Sequence, residues 1–202
     1  EIRQLLQSAP PALYDAAYDL VVSNGELMST AIVSDYLNLS GLTNQELDAR
    51  KVLITNEAYR NARVSWEETS GKIRAAFDES NPEQFAQVTI TQGFIGSSAN
   101  GHPVTLGREG SDFSAAIFAY ALDAGEMIIW KDVPGVLNAD PRHFDDTVLL
   151  DRISYRDAIE LAYFGASVIH PKTIQPLQNK NIPLYVKRSE EHTSELQSRQ
   201  SI

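Results

Sequence analysis

The sequence predicts an α/β fold, and three observations carry that prediction. Residues 105–112 form a turn bracketed by glycines that follows a β-branched, alternating segment and opens a helical pattern. Residues 126–130 are almost continuously apolar, which is typical of a strand covered on both faces. Glycine-rich turns also follow the predicted strands at 93–96 and 131–135. Because ligands of open α/β sheets collect at the carboxyl ends of strands, these three turns are expected to converge on one site.

The turn at 105–112 has the composition of an anion-binding site. Backbone N–H groups and the positive dipole end of a helix face such a turn, and Arg108 adds a forked cation to it. Ser111 and Asp112 supply a hydroxyl and a carboxylate at the helix start. The same pattern also commonly marks the start of a helix that binds no ligand. Taken alone, the turn leaves both interpretations open.

The first half of the chain is predicted to hold three helices and several strands. A break at residues 23–25 is expected to separate two helices, so that Glu26 begins the second, where the helix dipole favours a carboxylate for structural reasons alone. The apolar faces of these helices are predicted to be Leu13, Ala16, Ala17, Leu20 and Val21, then Leu27, Ala31, Ile32, Tyr36 and Leu37. A strand at 51–55, a capped helix at 65–77, a strand at 87–96 and a hairpin strand at 102–105 follow.

The second half continues the alternation of helices and strands. A helix from Ser111 to Gly125 leads into the strand at 126–130, and this order predicts a βαβ unit. A long loop then runs to residue 142. Ser154 caps a further helix, residues 173–177 are predicted to be helical, and the last strand is expected at 181–186.

Composition excludes several classes of function. With 43% apolar residues the 202-residue chain can form a globular core, and its formal net charge of −10 argues against a surface for nucleic acid or anionic membrane. No apolar run approaches the roughly 18 residues of a membrane span, and the absence of cysteine removes disulfides and thiolate chemistry. We therefore expect a cytoplasmic protein. The four histidines are too scattered to predict a metal site.

Both ends of the sequence are unusual. Glu1 begins inside a helical pattern, so the natural chain is expected to extend upstream. Beyond about Lys187 the sequence lacks core-forming periodicity and resembles the translation of a sequencing adapter. The predicted organisation is a partial catalytic domain over residues 1–187 and a non-native, disordered tail over 188–202.

Six motifs resemble those of aspartate kinase, a member of the amino-acid kinase superfamily. They are Ser-Asn-Gly-Glu at 23–26, Gly-Phe-Ile-Gly at 93–96, Thr-Leu-Gly-Arg-Glu-Gly-Ser-Asp at 105–112, Trp-Lys-Asp-Val-Pro-Gly-Val at 130–136, Asp-Pro-Arg at 140–142, and Glu-Leu-Ala-Tyr-Phe-Gly-Ala at 160–166 with His-Pro at 170–171. One such motif is a weak signal. Six in matching order and approximate spacing, from about Ser23 to Val186, are a strong one.

The resemblance implies both a fold and an activity. The fold is a three-layer αβα sandwich around a mostly parallel sheet, here incomplete. The activity is transfer of the γ-phosphoryl group of ATP, with Mg²⁺, to the side-chain carboxylate of L-aspartate, which is the first step of lysine, threonine and methionine biosynthesis. Positioning and charge neutralisation carry this chemistry, so that no protein nucleophile is needed. The full-length parent is expected to be a homo-oligomer that binds neither nucleic acid nor membranes.

The same resemblance assigns roles to individual residues. Glu26 would hold the substrate ammonium group, Arg108 and Ser111 would bind its carboxylate end together with Glu109 and Gly110, and Asp112 would organise the catalytic centre with Arg108. The residues implied around the nucleotide are Lys131, Asp132, Leu137, Arg142, Ser167 and Val168.

Several departures from the family pattern keep alternatives open. The family has glycine at position 109, threonine at 131, tyrosine at 137 and commonly lysine at 167, where this chain has Glu109, Lys131, Leu137 and Ser167. The Lys-Phe-Gly-Gly turn that begins the family's fold has no counterpart in residues 1–49, so this chain is expected to be inactive or nearly so. The alternatives are a kinase for another acid and a non-catalytic fragment that only binds a ligand.

Overall fold

The computed structural model describes residues 14–78, 87–133, 135–140, 142–163, 168–189 and 200–201. The chain divides into two compact units, Glu1–Ser114 and Ala115–Ile202. The division falls within a single helix that runs from Gly110 to Ala121. Residues 1–13, residues 79–86 and most of the tail predicted to be non-native lie outside the described residues.

The first unit begins with one long helix rather than two. Helix α1 (Tyr14–Leu39) passes through the expected break at 23–25 without interruption. The Ser23 hydroxyl donates to the Asp19 carbonyl at 2.6 Å, and the Asn24 amide donates to the Leu20 carbonyl at 2.7 Å. These residues bond to their own helix, so they do not favour a turn here. The predicted break is therefore wrong.

The orientation of α1 also differs from the prediction. Its buried residues are polar: Asp19, Ser23, Asn24, Thr30 and Ser34. Three residues assigned to its apolar faces are instead largely exposed, with Val21 at 64%, Ile32 at 66% and Tyr36 at 68%. Helical periodicity locates an apolar stripe, but it does not decide which stripe faces the core.

Five short strands follow in the first unit. They are β1 (Gln45–Leu47), β2 (Ile54–Thr55), β3 (Thr89–Thr91), β4 (Ile95–Ser98) and β5 (Pro103–Thr105). Strands β1 and β3 pair in parallel, β2 and β4 pair in parallel, and β4 and β5 form the expected antiparallel hairpin. Helix α2 (Trp66–Ala76) begins after Ser65 as predicted, although the Ser65 side chain makes no capping hydrogen bond.

Two predicted strands are shorter than expected. Residues Ala49–Lys51 form a 3₁₀ turn because the Asp48 carboxylate caps the Arg50 N–H at 3.0 Å, and the apolar run at 52–53 is buried without being a strand. The strand expected at 87–96 divides into β3 and β4. At the division, Phe94 has a φ of 70° and the Ile95 N–H donates to the Gly93 carbonyl at 2.8 Å, which turns the chain sharply.

Helix α3 (Gly110–Ala121) leads into the second unit. That unit contains β6 (Met127–Lys131), α4 (Tyr155–Tyr163), α5 (Pro171–Lys180), β7 (Leu184–Arg188) and β8 (Gln200–Ser201). Ser154 caps α4 as predicted, accepting from the Asp157 N–H at 3.2 Å. The His170 side chain caps α5 by accepting from the Lys172 N–H at 3.1 Å, with Pro171 in the first turn.

The parallel crossover in the second unit differs from the expected one. Strand β5 belongs to the sheet of β2 and β4, whereas β6 pairs in parallel with β7, from Met127 opposite Leu184 to Lys131 opposite Arg188. The crossover is therefore β6, α4, α5, β7, and the βαβ unit predicted around α3 is wrong. A continuous core closes this unit, formed by Ala116, Ala119, Met127, Ile129, Ala158, Ile169, Ile174, Leu177, Ile182, Leu184 and Val186. Parallel strand pairs and helices together confirm the predicted α/β class.

Candidate active site

Two glycine turns of the first unit pack directly on each other. A Cβ placed on Gly93 would lie 2.9 Å from both Cα and Cβ of Ser111. A Cβ on Gly110 would lie 2.6 Å from Cδ2 of Phe94 and 3.2 Å from its Cα. Glycine is thus required at both positions, because atoms of the other turn approach too closely to leave room for a Cβ. The turns at 93–96 and 107–112 converge, as the sequence predicts for these two.

Hydrogen bonds fix the same contact. The Leu106 N–H donates to the Phe94 carbonyl at 2.8 Å. The Ser114 hydroxyl accepts from the Phe94 N–H at 3.0 Å and donates to the Gly110 carbonyl at 2.9 Å. Ser114 therefore links the first turn of α3 to the neighbouring turn. This is a positioning contact that the sequence motifs alone do not reveal.

The turn before α3 contains two left-handed residues. Gly107 has a φ of 79°, and a Cβ there would lie 2.9 Å from the Arg60 carbonyl oxygen. Glu109 has a φ of 52°, a region that glycine occupies freely and other residues occupy at a cost. The departure of Glu109 from the family's glycine therefore falls on a position where backbone conformation favours glycine.

Glu26 lies in the middle of α1, two turns after the buried Asp19. The helix dipole therefore does not explain a carboxylate at this position, because the effect of the dipole is confined to the first turn. Glu26 is half-buried, and burial raises the pKa of its carboxyl above the usual range. A carboxylate held partly out of water in this way is suited to a cationic guest.

The remaining residues predicted for substrate binding surround the start of α3. Arg108 and Ser111 are exposed, and Asp112 is half-buried in the first turn of the helix. Within the described part of the chain, Arg108 forms no ion pair. A forked cation and a hydroxyl at a 12-residue helix's N-terminus can bind a carboxylate or a phosphate.

Asp19 lies beside the turn before α3 and was not predicted from the sequence. Its carboxylate is fully buried, and it accepts hydrogen bonds from the N–H of Thr105 and the N–H of Arg60, both at 2.8 Å. The Thr105 hydroxyl donates to the other carboxylate oxygen, also at 2.8 Å. The available signal was a single acidic residue within the otherwise apolar run 18–22, which the expected apolar face of α1 obscured.

The second unit contains the residues predicted to border the nucleotide. Lys131 ends β6, and its carbonyl accepts from the Ser189 N–H at 2.8 Å; Asp132 is exposed in the loop that follows. Leu137 pairs with Leu149 in an isolated antiparallel bridge. This bridge joins residues 137 and 149, so the long loop after β6 folds back on itself.

Arg142 is already engaged by a neighbour. Its Nε lies 3.1 Å from both carboxylate oxygens of Asp140, and one terminal nitrogen lies 2.7 Å from Oδ2. The Arg142 N–H also donates to Asp140 Oδ1 at 2.8 Å. These hydrogen bonds lower the pKa of Asp140 to about 2. A phosphate at Arg142 would share this guanidinium with Asp140.

The last predicted nucleotide contact is described only in part. Ser167 lies outside the described residues, whereas Val168 is half-buried and packs on the core of the second unit. Lys172 stands in the first turn of α5, and burial lowers the pKa of its ammonium group. It is a cation five residues beyond the position where the family commonly has lysine.

An open cavity of about 940 Å³ lies beside this loop in the second unit. Its lining is mainly apolar with a few charged groups, and consists of Asn138, Leu150, Arg152, Ile153, Ser154, Asp157, Glu160, Leu161, Pro183 and Tyr185. Asn138 directly follows Leu137. The volume falls in the range of small-molecule sites.

Two other classes of feature are absent from the described residues. Among them, no three histidine or carboxylate side chains come together in a way that would hold a metal ion. Within the same part of the chain, no helix combines the length and the apolar character needed to cross a membrane.

Comparison with known proteins shows what the chain is similar to. The chain is 38% identical over 190 residues to lysine-sensitive aspartokinase 3 of Escherichia coli K12, a match that covers 94% of this chain and 42% of that protein. It is 39% identical over 170 residues to the chloroplastic bifunctional aspartokinase/homoserine dehydrogenase 2 of Zea mays, covering 84% of this chain and 18% of the relative. The chain thus spans less than half the length of either relative.

Structure and family comparisons agree with this similarity. The crystal structure of E. coli aspartokinase III in complex with aspartate and ADP superposes with a TM-score of 0.84 at 38% identity, over 95% of this chain and 42% of that one. The resemblance to aspartate kinase and the predicted fold are confirmed. The sequence model of the amino acid kinase family matches residues 3–188 of the chain. The chain belongs to the amino acid kinase family.

Proposed function

We propose that the parent protein transfers the γ-phosphoryl group of ATP to the side-chain carboxylate of L-aspartate, giving 4-phospho-L-aspartate and ADP. The observation that carries the proposal is the packed pair of turns at 93–96 and 107–112, which presents Arg108 and Ser111 at the N-terminus of α3. The matched E. coli structure contains aspartate and ADP. The product would enter lysine, threonine and methionine biosynthesis.

The first unit would bind the amino acid. The half-buried Glu26 carboxylate would pair with the substrate ammonium group, and Arg108 with Ser111 would bind the α-carboxylate. Glu109 and Gly110 would complete the turn that borders the substrate, where the Gly110 N–H closes the turn by donating to the Gly107 carbonyl at 3.0 Å. Asp112 would orient the groups around the reacting carboxylate. Opposite charges at the two ends of the site would select an α-amino acid over a simple dicarboxylate.

The second unit would bind the nucleotide. Lys131, Asp132, Leu137, Arg142, Ser167 and Val168 are the proposed contacts. Since Ser167 replaces the family's common lysine, we propose that Lys172, in the first turn of α5, supplies part of the missing positive charge. Magnesium would arrive with the nucleotide as Mg·ATP, because Mg²⁺ needs few protein ligands when phosphate oxygens complete its shell.

The reaction balances without a protein nucleophile. One oxygen of the aspartate side-chain carboxylate attacks the γ-phosphorus while the bond to the β,γ-bridging oxygen breaks, and ADP leaves with that electron pair. No proton has to move, because the carboxylate is ionised at neutral pH. The protein would contribute alignment and neutralisation of the phosphate charge.

A hydroxamate assay tests the proposal, since hydroxylamine traps an acyl phosphate. We expect aspartate-dependent hydroxamate formation by the parent protein and little or none by the 202-residue chain. Glutamate and acetylglutamate serve as competing substrates, and preference for either would overturn the substrate assignment. Brisk turnover by the chain itself would contradict its predicted inactivity.

Substitution of the proposed clamp sharpens this test. Arg108→Ala in the parent should raise the KM for aspartate by about tenfold to a hundredfold, because a charge-assisted hydrogen bond is lost, and should leave basal ATP hydrolysis nearly unchanged. Arg156→Ala is the matched control, because Arg156 is an exposed arginine on α4 whose ion pair is with Glu160, at 3.5 Å. Equal effects of both substitutions would argue against a clamp at Arg108.

A further inference from the structure

The Asp19 carboxylate is a fully buried charged group without a role in the proposed chemistry. It accepts three hydrogen bonds, from the N–H of Thr105, the hydroxyl of Thr105 and the N–H of Arg60, each at 2.8 Å. Burying a carboxylate is costly unless such donors compensate it. Three donors from two other segments of chain compensate this carboxylate, so its effect is to be found in the segments that it holds.

What Asp19 holds is the entry to the turn at 107–112. Thr105 is the last residue of β5, and only Leu106 separates it from Gly107. The other face of Thr105 is fixed as well, since its carbonyl accepts from the Ala62 N–H at 3.0 Å. Arg60, the other partner, lies where Gly107 packs, because a Cβ on Gly107 would come within 2.9 Å of the Arg60 carbonyl oxygen. One carboxylate therefore gathers both segments of chain that border the turn.

Asp19 also belongs to the helix that carries Glu26. The two residues are seven positions apart, which is two turns along the same face of α1. Because α1 is continuous through residues 23–25, its hydrogen-bonded backbone connects Asp19 to Glu26 without a joint. The helix thus carries one group that would bind the substrate and a second group that fixes the turn bearing the other substrate contacts.

We propose that Asp19 is a positioning residue that fixes the Gly107–Asp112 turn at a set distance from Glu26, so that both ends of an amino-acid substrate are bound at once. The proposal rests on the proposed function for the identity of the substrate. The mechanical part, that Asp19 holds the turn, does not depend on it.

Hydrogen exchange of the 202-residue chain tests the mechanical part. In Asp19→Asn the amide oxygen accepts from the N–H groups of Thr105 and Arg60 without a full negative charge, and the NH₂ group has to donate to the Thr105 hydroxyl instead of accepting from it. Because these hydrogen bonds lose their charge assistance, we expect amides of residues 105–112 to exchange about tenfold faster or more, with amides of β6 and β7 unchanged. Asp15→Asn is the matched control: Asp15 lies one turn earlier on α1 and contacts the Arg60 side chain at 3.2 Å from an exposed position. Uniformly faster exchange in both units, or an unchanged turn, would overturn the proposal.

Kinetics of the parent protein test the consequence for substrate. Asp19→Asn should raise the KM for aspartate by about tenfold while the KM for ATP stays within about twofold. Should that variant fail to fold, Thr105→Val and Thr105→Ser decide the matter. The first removes the hydroxyl that bonds Asp19 and should raise the aspartate KM, and the second retains it and should restore the wild-type value.

The two proposals can fail separately. A parent that does not use aspartate, together with a turn that loosens in Asp19→Asn, would refute the proposed function and leave the positioning role intact. Normal use of aspartate by both the wild type and Asp19→Asn would refute the positioning role alone.

Discussion

Gly110 lies against the Phe94 ring so closely that a Cβ on the glycine would be 2.6 Å from Cδ2 of the phenylalanine. Phe94 itself has a φ of 70°, a conformation that bulky residues rarely adopt. The contact between the two turns thus combines a phenylalanine in a strained conformation with a glycine that has no side chain. Strain of this kind concentrates at functional sites, where surrounding structure holds it in place.

Gly110→Ala should destabilise the chain by roughly 1–3 kcal/mol, because the added methyl group forces the ring or the turn to move. Gly71→Ala is the matched control. Gly71 is a helical glycine of α2, and a methyl group placed there would have no neighbouring atom within 4 Å, so alanine should stabilise by up to about 1 kcal/mol. Urea unfolding measures both values. Equal stability of the two variants would contradict the contact.

Glu109→Gly should stabilise the folded chain by up to about 1 kcal/mol, since glycine occupies a φ of 52° without the steric cost that a Cβ imposes. Part of the gain is offset by the greater freedom of glycine in the unfolded chain. Glu109→Ala keeps the Cβ and serves as the control, because it should not stabilise. Thermal unfolding at a single pH compares the three proteins, and stabilisation by alanine would point to charge rather than backbone strain.

Glu26→Gln should stabilise the chain slightly at neutral pH while weakening aspartate binding. Burial raises the pKa of Glu26, so the folded state favours the protonated carboxyl. Its contribution to stability is fully present below the unfolded pKa and is lost as pH rises through the folded pKa. The stability difference between variant and wild type should therefore vanish in acid. Unfolding at pH 7 and pH 3 checks this, and a variant that is less stable at pH 7 would contradict it.

Asp140 should remain ionised far into the acid range. The Arg142 side chain, hydrogen-bonded to it, lowers the pKa of Asp140 from its ordinary value of 3.8 to about 2. The stabilisation from this pair is present above the unfolded pKa and is lost only as pH falls through the folded value. Carboxyl carbon chemical shifts would follow the titration directly. In Arg142→Gln the midpoint should return toward 3.8, whereas Arg156→Gln, on the exposed face of α4, should leave it unchanged.

Much of the fold is predictable from local signals. The hairpin at β4 and β5, helix α3 after its glycine turn, the apolar strand β6 and the capped helix α4 all occur where turn chemistry and periodicity place them. These elements have strong local determinants. Glycines at close approaches and Ser-x-x-Asp capping leave little room for another structure.

Helix α1 shows where sequence signals fail. Ser23, Asn24 and Gly25 are individually typical of a turn, yet the first two bond to carbonyls four residues earlier and the helix continues. Among the residues predicted to form the buried faces, Val21, Ile32 and Tyr36 are exposed and the others described are only half-buried. Polar side chains face inward because they find partners there: Asp19 binds residues 60 and 105, and the Ser34 hydroxyl donates to Asn44 Oδ1 at 2.6 Å.

The site was predictable to a similar degree. Sequence alone predicted that the turns at 93–96 and 107–112 meet, because each follows a predicted strand and ligands of open α/β sheets collect at the carboxyl ends of strands. It did not predict that Asp140 occupies the Arg142 guanidinium, nor that Glu26 stands within a continuous helix. Both facts depend on local side-chain geometry that the residue types leave open, since Asp140 and Arg142 are two residues apart and Ser23 and Asn24 bond to carbonyls four residues earlier. The roles of all the predicted site residues, at the substrate and at the nucleotide, stay predictions.

The exposed apolar side chains of α1 have a practical consequence for producing the protein. Val21, Ile32 and Tyr36 lie off the face that carries Asp19 and Glu26, and their exposed apolar side chains favour aggregation at high concentration. Lysine or glutamate at these three positions would improve solubility and still suit a helix. The aggregation of the protein and the proposed contact of Glu26 with substrate would therefore depend on different faces of one helix, so that each could be altered separately.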